Sequence, residues 1–345
     1  MDHVSYTPMK RPTIPLEIII EITGRCRQVC PYCTGPRIPD VPLKDIKASL
    51  DEASKLGVRA IRITGGEPLL HPHIREILTY TKAKKFKIIL NTSADSISPV
   101  VMNTIISTVD VAHISLQGHN EAANASYTGS KVSFLEKIKN IFLLKAYLPT
   151  LWIATVLTPD KAEAFEQFLP LIRKIKPAAW LLQRPISELN EDLKQMNIRF
   201  YRALTLQIMK ARRDNINVFV SNPIPLCITG NLKIGKEAFL GAKLDEGHLR
   251  IVRSAKGYFK PNYFLETNLG TTIQEAWRHP FLNDLNRTDY LPNLCQRCPV
   301  LETCRGGSRS MALRAHATAL AADPLFSAAS AQKALSAHDQ ENPGP

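Results

Sequence analysis

The sequence predicts an α/β protein built on a parallel β-sheet. Short β-branched runs alternate with amphipathic segments from residue 15 to residue 183, and polar or special residues follow one predicted strand after another. The composition is that of an ordinary globular protein, since 44% of the 345 residues are hydrophobic and 22% are charged. Alternating strands and helices form right-handed βαβ units, whose strands run parallel in an open sheet or in a barrel.

The strands are predicted from short runs rich in β-branched and other apolar residues. Residues 16–23 read LEIIIEIT and residues 58–64 read VRAIRIT. Runs of this kind, bounded by turn residues, are typical of strands buried in a parallel sheet. The predicted strands are residues 16–23, 58–64, 86–91, 110–116, 151–157, 178–182 and 217–220.

The segments between these strands carry apolar residues near helical spacing, which predicts helices. The predicted helices are residues 43–56, 71–84, 97–109, 133–147, 161–175 and about 190–214. A cysteine-rich segment follows the first strand, Gly65 follows the second, and Asn91 and Ser115 end the third and fourth. Because α/β folds place their active sites at the C-terminal ends of the strands, we expect the site at these positions.

The chain divides into regions that differ in composition and in predicted secondary structure. The βα rhythm stops after residue 222, where glycine, asparagine and cysteine become frequent. We therefore expect a lead-in at residues 1–14, an α/β core at 15–222 and a cysteine-rich unit at 223–325. Residues 326–345 are alanine-rich and end in Pro-Gly-Pro, which predicts a disordered tail.

Composition also excludes several functional classes. No apolar run approaches the roughly 20 residues of a membrane span, and no basic segment followed by an apolar stretch opens the chain. We expect a cytoplasmic protein without a membrane partner. The formal net charge of +13 favours an anionic substrate weakly, since basic runs such as 82–87 and 210–213 are usually solvated helix faces. No aromatic-interleaved basic motif indicates nucleic-acid binding.

Seven cysteines form two clusters and one isolated position. Cys26, Cys30 and Cys33 have the spacing C-x3-C-x2-C. An odd cysteine number without a secretory signal argues against disulfides and favours metal binding. Three thiolates can hold three irons of a [4Fe-4S] cluster and leave the fourth iron open, whereas a zinc knuckle is the alternative reading of the spacing alone.

Two motifs together resemble the radical S-adenosylmethionine (SAM) superfamily. The three-cysteine loop has an aromatic residue, Tyr32, before its last cysteine, and TGGEP follows the second strand at residues 64–68. The resemblance covers about residues 15–220 and implies a partial (β/α)6 barrel, a [4Fe-4S] cluster on Cys26, Cys30 and Cys33, and bound SAM. With both motifs counted, a zinc knuckle is strongly disfavoured as the interpretation of this loop.

The same resemblance assigns SAM contacts to individual residues. The main chain of Gly65 and Gly66 together with Glu67 would hold the methionine ammonium group, with Pro68 completing the motif. It further implies contacts to the adenine and the ribose, from Tyr32 and from Asn91 and Ser115. Simple core burial of Tyr32 and a strand-end cap at Asn91 are the alternative interpretations.

The C-terminal cysteines resemble the SPASM/Twitch extension of radical SAM maturases. CQRCPVLETCRGGS matches its core through three cysteines, but Ser308 replaces the fourth, Asn262 replaces another, and Leu325 follows Asp323-Pro324 where a last cysteine often lies. Four cysteines support at most one fully cysteine-ligated auxiliary [4Fe-4S] cluster. Its expected ligands are Cys227, Cys295, Cys298 and Cys304.

Two other roles remain open for these four cysteines. Cys295, Cys298 and Cys304 could hold a cluster with an open site for substrate, which leaves Cys227 as a catalytic thiol that donates a hydrogen atom. Alternatively, the four residues bind structural zinc, which accepts the same ligands.

The resemblance implies a radical SAM oxidoreductase of natural-product or cofactor biosynthesis. It would cleave SAM reductively, with electrons from a donor such as flavodoxin or ferredoxin, and abstract hydrogen from a substrate. Only 25 residues precede Cys26, which favours a small, possibly anionic substrate such as a sugar, nucleoside or tetrapyrrole derivative. The alternatives are a peptide maturase and a non-catalytic iron–sulfur or zinc protein, and the intact GGEP motif argues against the latter.

Overall fold

A computed structural model describes residues 11–33, 35, 38–186, 195–242 and 247–342. Its centre is a nine-stranded sheet in the order β7-β6-β5-β4-β3-β2-β1-β8-β9, parallel except for β9. The strands are β1 Glu17–Glu21, β2 Ala60–Thr64, β3 Lys87–Thr92, β4 Val111–Ser115, β5 Thr150–Val156, β6 Ala179–Gln183, β7 Val218–Val220, β8 Arg250–Arg253 and β9 Phe259–Lys260. The α/β fold with a parallel sheet is confirmed, and the sheet is open rather than closed.

Helices connect the strands and cover the sheet. The helices of the core are α1 Leu43–Leu56, α2 Ile74–Ala83, α3 Pro99–Thr108, α4 Glu121–Thr128, α5 Phe134–Tyr147, α6 Pro159–Glu163, α7 Phe165–Ile175 and α8 Ile198–Arg213. Those that follow are α9 Leu232–Ala238, α10 Ile273–Arg278, α11 Pro280–Asn286, α12 Asn293–Gln296, α13 Leu301–Cys304, α14 Arg309–His316 and α15 Ala328–Glu341. Two 3-10 helices, Pro68–Leu70 and Leu226–Thr229, lie between them.

Alternation along the strands separates the core from the functional face. In β1, Ile18 and Ile20 belong to the hydrophobic core, whereas Glu17 and Glu21 point to the opposite side and line a cavity. Successive side chains of a strand point to opposite faces, so one face packs under the helices and the other is free to carry polar groups. The sheet thereby positions a polar interior.

Two predicted helices differ in detail from those observed, and one observed helix was not predicted. The predicted helix 161–175 is two helices, α6 and α7, separated at Ala164. The short helix α4 was not predicted, although Asn120 caps its first turn and Gly129 ends it in the left-handed conformation. Helix α8 begins at Ile198 after its cap Asn197, and predicted positions 190–194 lie outside the described residues.

The predicted boundary near residue 222 is not a break in the sheet. Strand β8, which belongs to the predicted cysteine-rich unit, pairs in parallel with β1 along Glu17–Ile20. The lead-in also packs on this unit, since the indole Nε1 of Trp277 donates to the Pro12 carbonyl at 2.8 Å and the Arg11 guanidinium lies 4.6 Å from the same ring. Residues 1–10 lie outside the described range.

The prediction of a disordered tail is wrong for residues 328–341, which form α15. Ser327 caps this helix by accepting a hydrogen bond from the Ser330 amide. Ala331, Ala334 and Leu335 are buried in the core cluster, so the alanine-rich composition reflects close packing of a helix rather than disorder. None of the helices in the described ranges has the length and apolar character that crossing a membrane requires.

Candidate functional site

A cavity of about 780 Å³ opens inside the sheet on its polar face. The side chains or main chains of Cys26, Cys30, Tyr32, Cys33, Gly65, Gly66, Glu67, Asn91 and Ser115 line it. Nine of the ten site residues predicted for the core therefore meet at one cavity. The tenth, Pro68, is buried at the start of the 3-10 helix Pro68–Leu70 and does not line the cavity.

The loop after β1 presents the three thiols to this cavity. Cys26 and Cys33 are exposed and Cys30 is half-buried. The loop is anchored by Val29, whose amide donates to the Thr128 carbonyl at 2.7 Å, and by Gln28, whose side chain donates to Asp95 at 2.8 Å. Partial burial raises the pKa of Cys30 to about 11. In the described part of the chain, no three His, Cys, Asp or Glu side chains surround one point closely enough for a single metal ion.

The loop after β2 packs directly against the cysteine loop. The Gly66 amide donates to the Thr23 carbonyl and the Glu67 amide to the Arg25 carbonyl, both at 2.7 Å. A Cβ atom on Gly65 would lie 2.2 Å from the Thr23 oxygen, and one on Gly66 would lie 2.3 Å from the Arg25 oxygen. Glycine is therefore required at both positions because the two loops approach within main-chain contact.

The Glu67 carboxylate has its hydrogen-bonding capacity filled from within the protein. It accepts from Thr92 Oγ1 at 2.8 Å, from Ser93 N and Oγ at 2.7 Å each, and from Leu69 N at 3.1 Å. Burial raises its pKa, and these donors oppose the rise. These bonds tie the loop after β2 to the end of β3 and give the carboxylate a structural role, and its contact with a ligand ammonium stays a prediction.

We predict that Glu67→Gln lowers the free energy of unfolding by about 1–3 kcal/mol. The NH2 group of the new amide would face hydrogen-bond donors, so part of the present hydrogen bonds would be lost. Chemical denaturation measures this change. Glu163→Gln, at an exposed position of α6, is the matched control and should leave the unfolding midpoint unchanged. Equal stability of both variants would contradict the structural role given to Glu67.

Asn91 belongs to a network that the sequence did not reveal. Its Oδ1 accepts from Arg62 Nη1 at 3.1 Å and from His113 Nδ1 at 2.9 Å, and its Nδ2 donates to the Tyr263 hydroxyl at 3.4 Å. Arg62 also forms an ion pair with Glu17 at 2.6 Å. Burial and the neighbouring arginines lower the pKa of His113 to about 3, so this imidazole is neutral at neutral pH.

Ser115 lies on β4, two residues after His113, and is the last residue of that strand. Its hydroxyl accepts from the Gln117 side chain at 2.7 Å. Polar residues at alternate positions of β2 and β4, namely Arg62 with Thr64 and His113 with Ser115, were the signal for this interior network.

Tyr32 lies beneath a buried lysine that sequence reasoning also missed. The ammonium of Lys161 is 4.8 Å from the Tyr32 ring centroid and 4.0 Å from that of Tyr127. Burial lowers the pKa of Lys161 to about 7. Tyr32 is thus packed between the cysteine loop and the start of α6, which fits both a ligand-facing and a core role.

The four remaining cysteines meet at a second, smaller cavity. Cys227 from the 3-10 helix Leu226–Thr229 joins Cys295, Cys298 and Cys304 there. The Leu226 amide donates to the Cys304 sulfur at 3.4 Å. The other lining residues are apolar or small: Pro225, Leu232, Leu294, Val300, Leu301, Gly306, Phe326, Ala331 and Leu335. Burial raises the pKa of Cys295 to about 12, so an unligated thiol here is neutral.

The residues at the missing-cysteine positions are used in protein contacts. The Ser308 hydroxyl caps α14 by accepting from the Met311 amide at 3.2 Å. The Asn262 side chain accepts from the Phe264 and Leu265 amides at 2.8 Å. Leu325 belongs to the hydrophobic core, and its amide donates to the Asp323 carboxylate at 2.9 Å. These positions are filled by internal hydrogen bonds, so they do not resemble an additional cluster site.

The chain is similar in sequence to proteins of known activity, of which three are described here. The PqqA peptide cyclase of Gluconobacter oxydans is 21% identical over 344 residues, which is 92% of each protein. The subtilosin biosynthesis protein AlbA of Bacillus subtilis is 31% identical but covers 38% of this chain and 31% of its own. An AdoMet-dependent heme synthase of Nitratidesulfovibrio vulgaris is 25% identical and covers 49% of this chain and 47% of its own.

Solved structures share the fold at low sequence identity. Streptococcus suis SuiB bound to the precursor peptide SuiA superposes with a TM-score of 0.73 at 18% identity, covering 91% of this chain and 76% of that one. Native anSMEcpe with bound AdoMet gives 0.73 at 15% identity, covering 95% and 98%. A family model described as the radical SAM superfamily matches residues 20–172. The chain therefore contains a radical SAM domain at residues 20–172 and is a SAM-dependent enzyme.

Proposed function

We propose that this enzyme modifies a peptide by radical SAM chemistry. The observation that supports the radical chemistry is the meeting of the Cys26, Cys30 and Cys33 thiols with the Gly65–Gly66 main chain at one cavity. The peptide class is supported by the relatives, since a peptide cyclase matches 92% of the chain and a structural neighbour is bound to its precursor peptide. The small substrate expected from the sequence has weaker support.

The chain's own groups suit the cofactors of this chemistry. Cys26, Cys30 and Cys33 would hold three irons of a [4Fe-4S] cluster and leave one position for the amino and carboxylate groups of SAM. Carbonyls of the loop after β2 are suitable acceptors for the SAM ammonium. When bound, the cluster supplies the electron that cleaves SAM into methionine and a 5′-deoxyadenosyl radical.

The cavity wall suggests how a peptide side chain is held. The β1–β4 side is polar, with Glu17, Arg62 and His113, whereas the β5–β7 side is mostly apolar, with Gln183 at the end of β6 as an exception. The apolar wall consists of Trp152, Ala154, Val156, Ala179, Leu181 and Phe219. A volume of about 780 Å³ lies in the range of small-molecule ligand sites. We propose that the substrate side chain packs on the apolar wall, away from bulk water.

We propose one auxiliary [4Fe-4S] cluster on Cys227, Cys295, Cys298 and Cys304. Support comes from their meeting at one apolar cavity and from the internal hydrogen bonds of Ser308 and Asn262. With four thiolate ligands, no iron is left open for substrate, which makes electron transfer the expected role. A hydrogen-atom donor role for Cys227 has weaker support because its sulfur lies with the other three cysteines.

Tetrapyrrole modification is the second candidate, because heme synthases match about half of the chain. The CRGGSR run at residues 304–309 resembles the matching segment of such enzymes, but its arginines are buried here. Arg305 donates to the Asn286 carbonyl at 2.8 Å, and Arg309 lies 5.0 Å from the Tyr290 ring. Neither arginine lines either of the two cavities described above. These contacts give the run a packing role, which favours the peptide hypothesis.

Anaerobic reconstitution tests the proposal. Wild-type protein loaded with iron and sulfide should bind about eight irons, by the stoichiometry of two clusters, and form 5′-deoxyadenosine from SAM with dithionite. Incubation with the peptide encoded beside its gene should remove hydrogen from that peptide, as mass spectrometry detects. A fully loaded protein that forms no 5′-deoxyadenosine rejects the radical chemistry; stimulation by a porphyrin precursor, with no change in the peptide, rejects the peptide class.

A further inference from the structure

Lys161 is a buried cation at the edge of the cysteine loop. Its side chain is 3% exposed, at the start of α6. The ammonium donates to Gln117 Oε1 at 3.1 Å and to the Val156 carbonyl at 2.9 Å, both uncharged acceptors. The rings of Tyr32 and Tyr127 cover it. These contacts fix the position of the charge without neutralising it.

The other two deeply buried lysines of the described residues have carboxylate partners. Lys137 pairs with Asp95 at 3.0 Å, and Lys260 pairs with Glu266 at 2.7 Å and Glu21 at 3.4 Å. Lys161 has no carboxylate within 4.0 Å among the residues that the structure describes. Because burying an unpaired charge is unfavourable, this contrast indicates that an anionic group other than a directly paired carboxylate stabilises the Lys161 ammonium.

The surroundings of Lys161 identify where that anion lies. The residue under its ammonium, Tyr32, stands between Cys30 and Cys33, and a charge on Cys30 would interact favourably with the ammonium. Lys161 does not line the cavity itself, so a carboxylate of SAM or of a substrate would not reach it there. Asp160 is the nearer negative charge, but its carboxylate accepts a hydrogen bond from Tyr127 and forms no ion pair with the ammonium. The thiolates of the cysteine loop, represented by Cys30, are the second anionic group that acts on Lys161.

We infer that Lys161 is the counter-charge of the metal centre on the cysteine loop and raises its reduction potential. This inference rests on the proposed [4Fe-4S] cluster. Three thiolates make such a cluster anionic, and the added electron makes it more so, so a fixed ammonium stabilises the reduced form more than the oxidised form. Lys161 is a positioning residue in this role, since it touches Tyr32 rather than a reacting atom.

A potentiometric titration followed by EPR, without SAM, tests the inference. Compared with wild type, Lys161→Gln and Lys161→Met should lower the midpoint potential so that the ratio of reduced to oxidised cluster falls about tenfold at the wild-type midpoint, which equals 59 mV for one electron. Lys161→Arg should keep most of the wild-type potential. Asp160→Asn removes a negative charge beside the ammonium and should shift the midpoint the opposite way.

Iron content separates the two hypotheses. A wild-type protein that binds no cluster overturns the proposed function, whereas an unchanged midpoint in iron-loaded Lys161→Gln and Lys161→Met overturns the inference alone. Should both neutral variants lose iron, the comparison rests on Asp160→Asn and Lys161→Arg. An unchanged midpoint in Asp160→Asn would then overturn the role of Lys161.

Discussion

Cys30→Ala is expected to abolish formation of 5′-deoxyadenosine and to lower the iron content by about four per chain, by cluster stoichiometry. Cys30 is the central thiol of the loop and the most buried of its three cysteines. Loss of an outer partner of a metal ligand typically costs up to about 100-fold in affinity or activity, so loss of a ligand should cost more. Anaerobic iron analysis and chromatography of the SAM products measure both effects.

Cys227→Ala is the matched control, since it removes a buried thiol from the second cavity. It should also lose about four irons, by the same stoichiometry, while retaining 5′-deoxyadenosine formation in the absence of substrate. The pair of variants thus assigns the two iron fractions to the two cysteine groups. Unaltered SAM cleavage in Cys30→Ala would show that the thiol trio does not carry the reaction.

The parts of the site that could be predicted from sequence are local in the chain. The thiol spacing from Cys26 to Cys33 and the glycines after β2 are short motifs at strand ends, and their strands are marked by β-branched runs. Conformation at such positions depends on neighbours in sequence, so the motif and its place in the fold are found together.

The parts that could not be predicted depend on contacts between distant segments. Arg62, Asn91 and His113 stand on three different strands, and the register of β2, β3 and β4 brings them together. Glu67 shows the same limit, because Thr92 at the end of β3 and Ser93 directly after it give its carboxylate internal hydrogen bonds that the motif did not indicate. Side-chain partners across a sheet follow from register, which a single sequence does not specify.

The prediction of a disordered tail was wrong because it was based on composition alone, which does not show the surface on which a helix packs. Alanine is a strong helix former, yet helices of this length gain most of their stability from tertiary contacts. Those contacts come from the 3-10 helix Leu226–Thr229 and from α9, both far away in sequence. The same 3-10 helix carries Cys227, so α15 supports one wall of the second cavity.

Gly66→Ala is expected to destabilise the protein by about 3–5 kcal/mol, adding the usual effect of overpacking to the loss of two hydrogen bonds. Its Cβ would lie 2.3 Å from the Arg25 oxygen, 2.8 Å from the Arg25 carbonyl carbon and 2.9 Å from the Gly24 oxygen, which are all main-chain atoms. No side-chain rotation relieves these contacts. The two loops must therefore separate, which breaks the bonds that the Gly66 and Glu67 amides donate.

The control for Gly66→Ala is Gly35→Ala in the same cysteine loop. Among the residues that the structure describes, a Cβ there would meet the Cys33 sulfur at 3.5 Å, an ordinary contact distance. Chemical denaturation should therefore separate the free energies of unfolding of the two variants by about 3–5 kcal/mol. Iron loading should fall in Gly66→Ala and hold in Gly35→Ala, because only the first change moves the thiols away from the loop after β2. Wild-type stability and SAM cleavage in Gly66→Ala would refute the close loop packing and, with it, the steric reason for the second glycine of the motif.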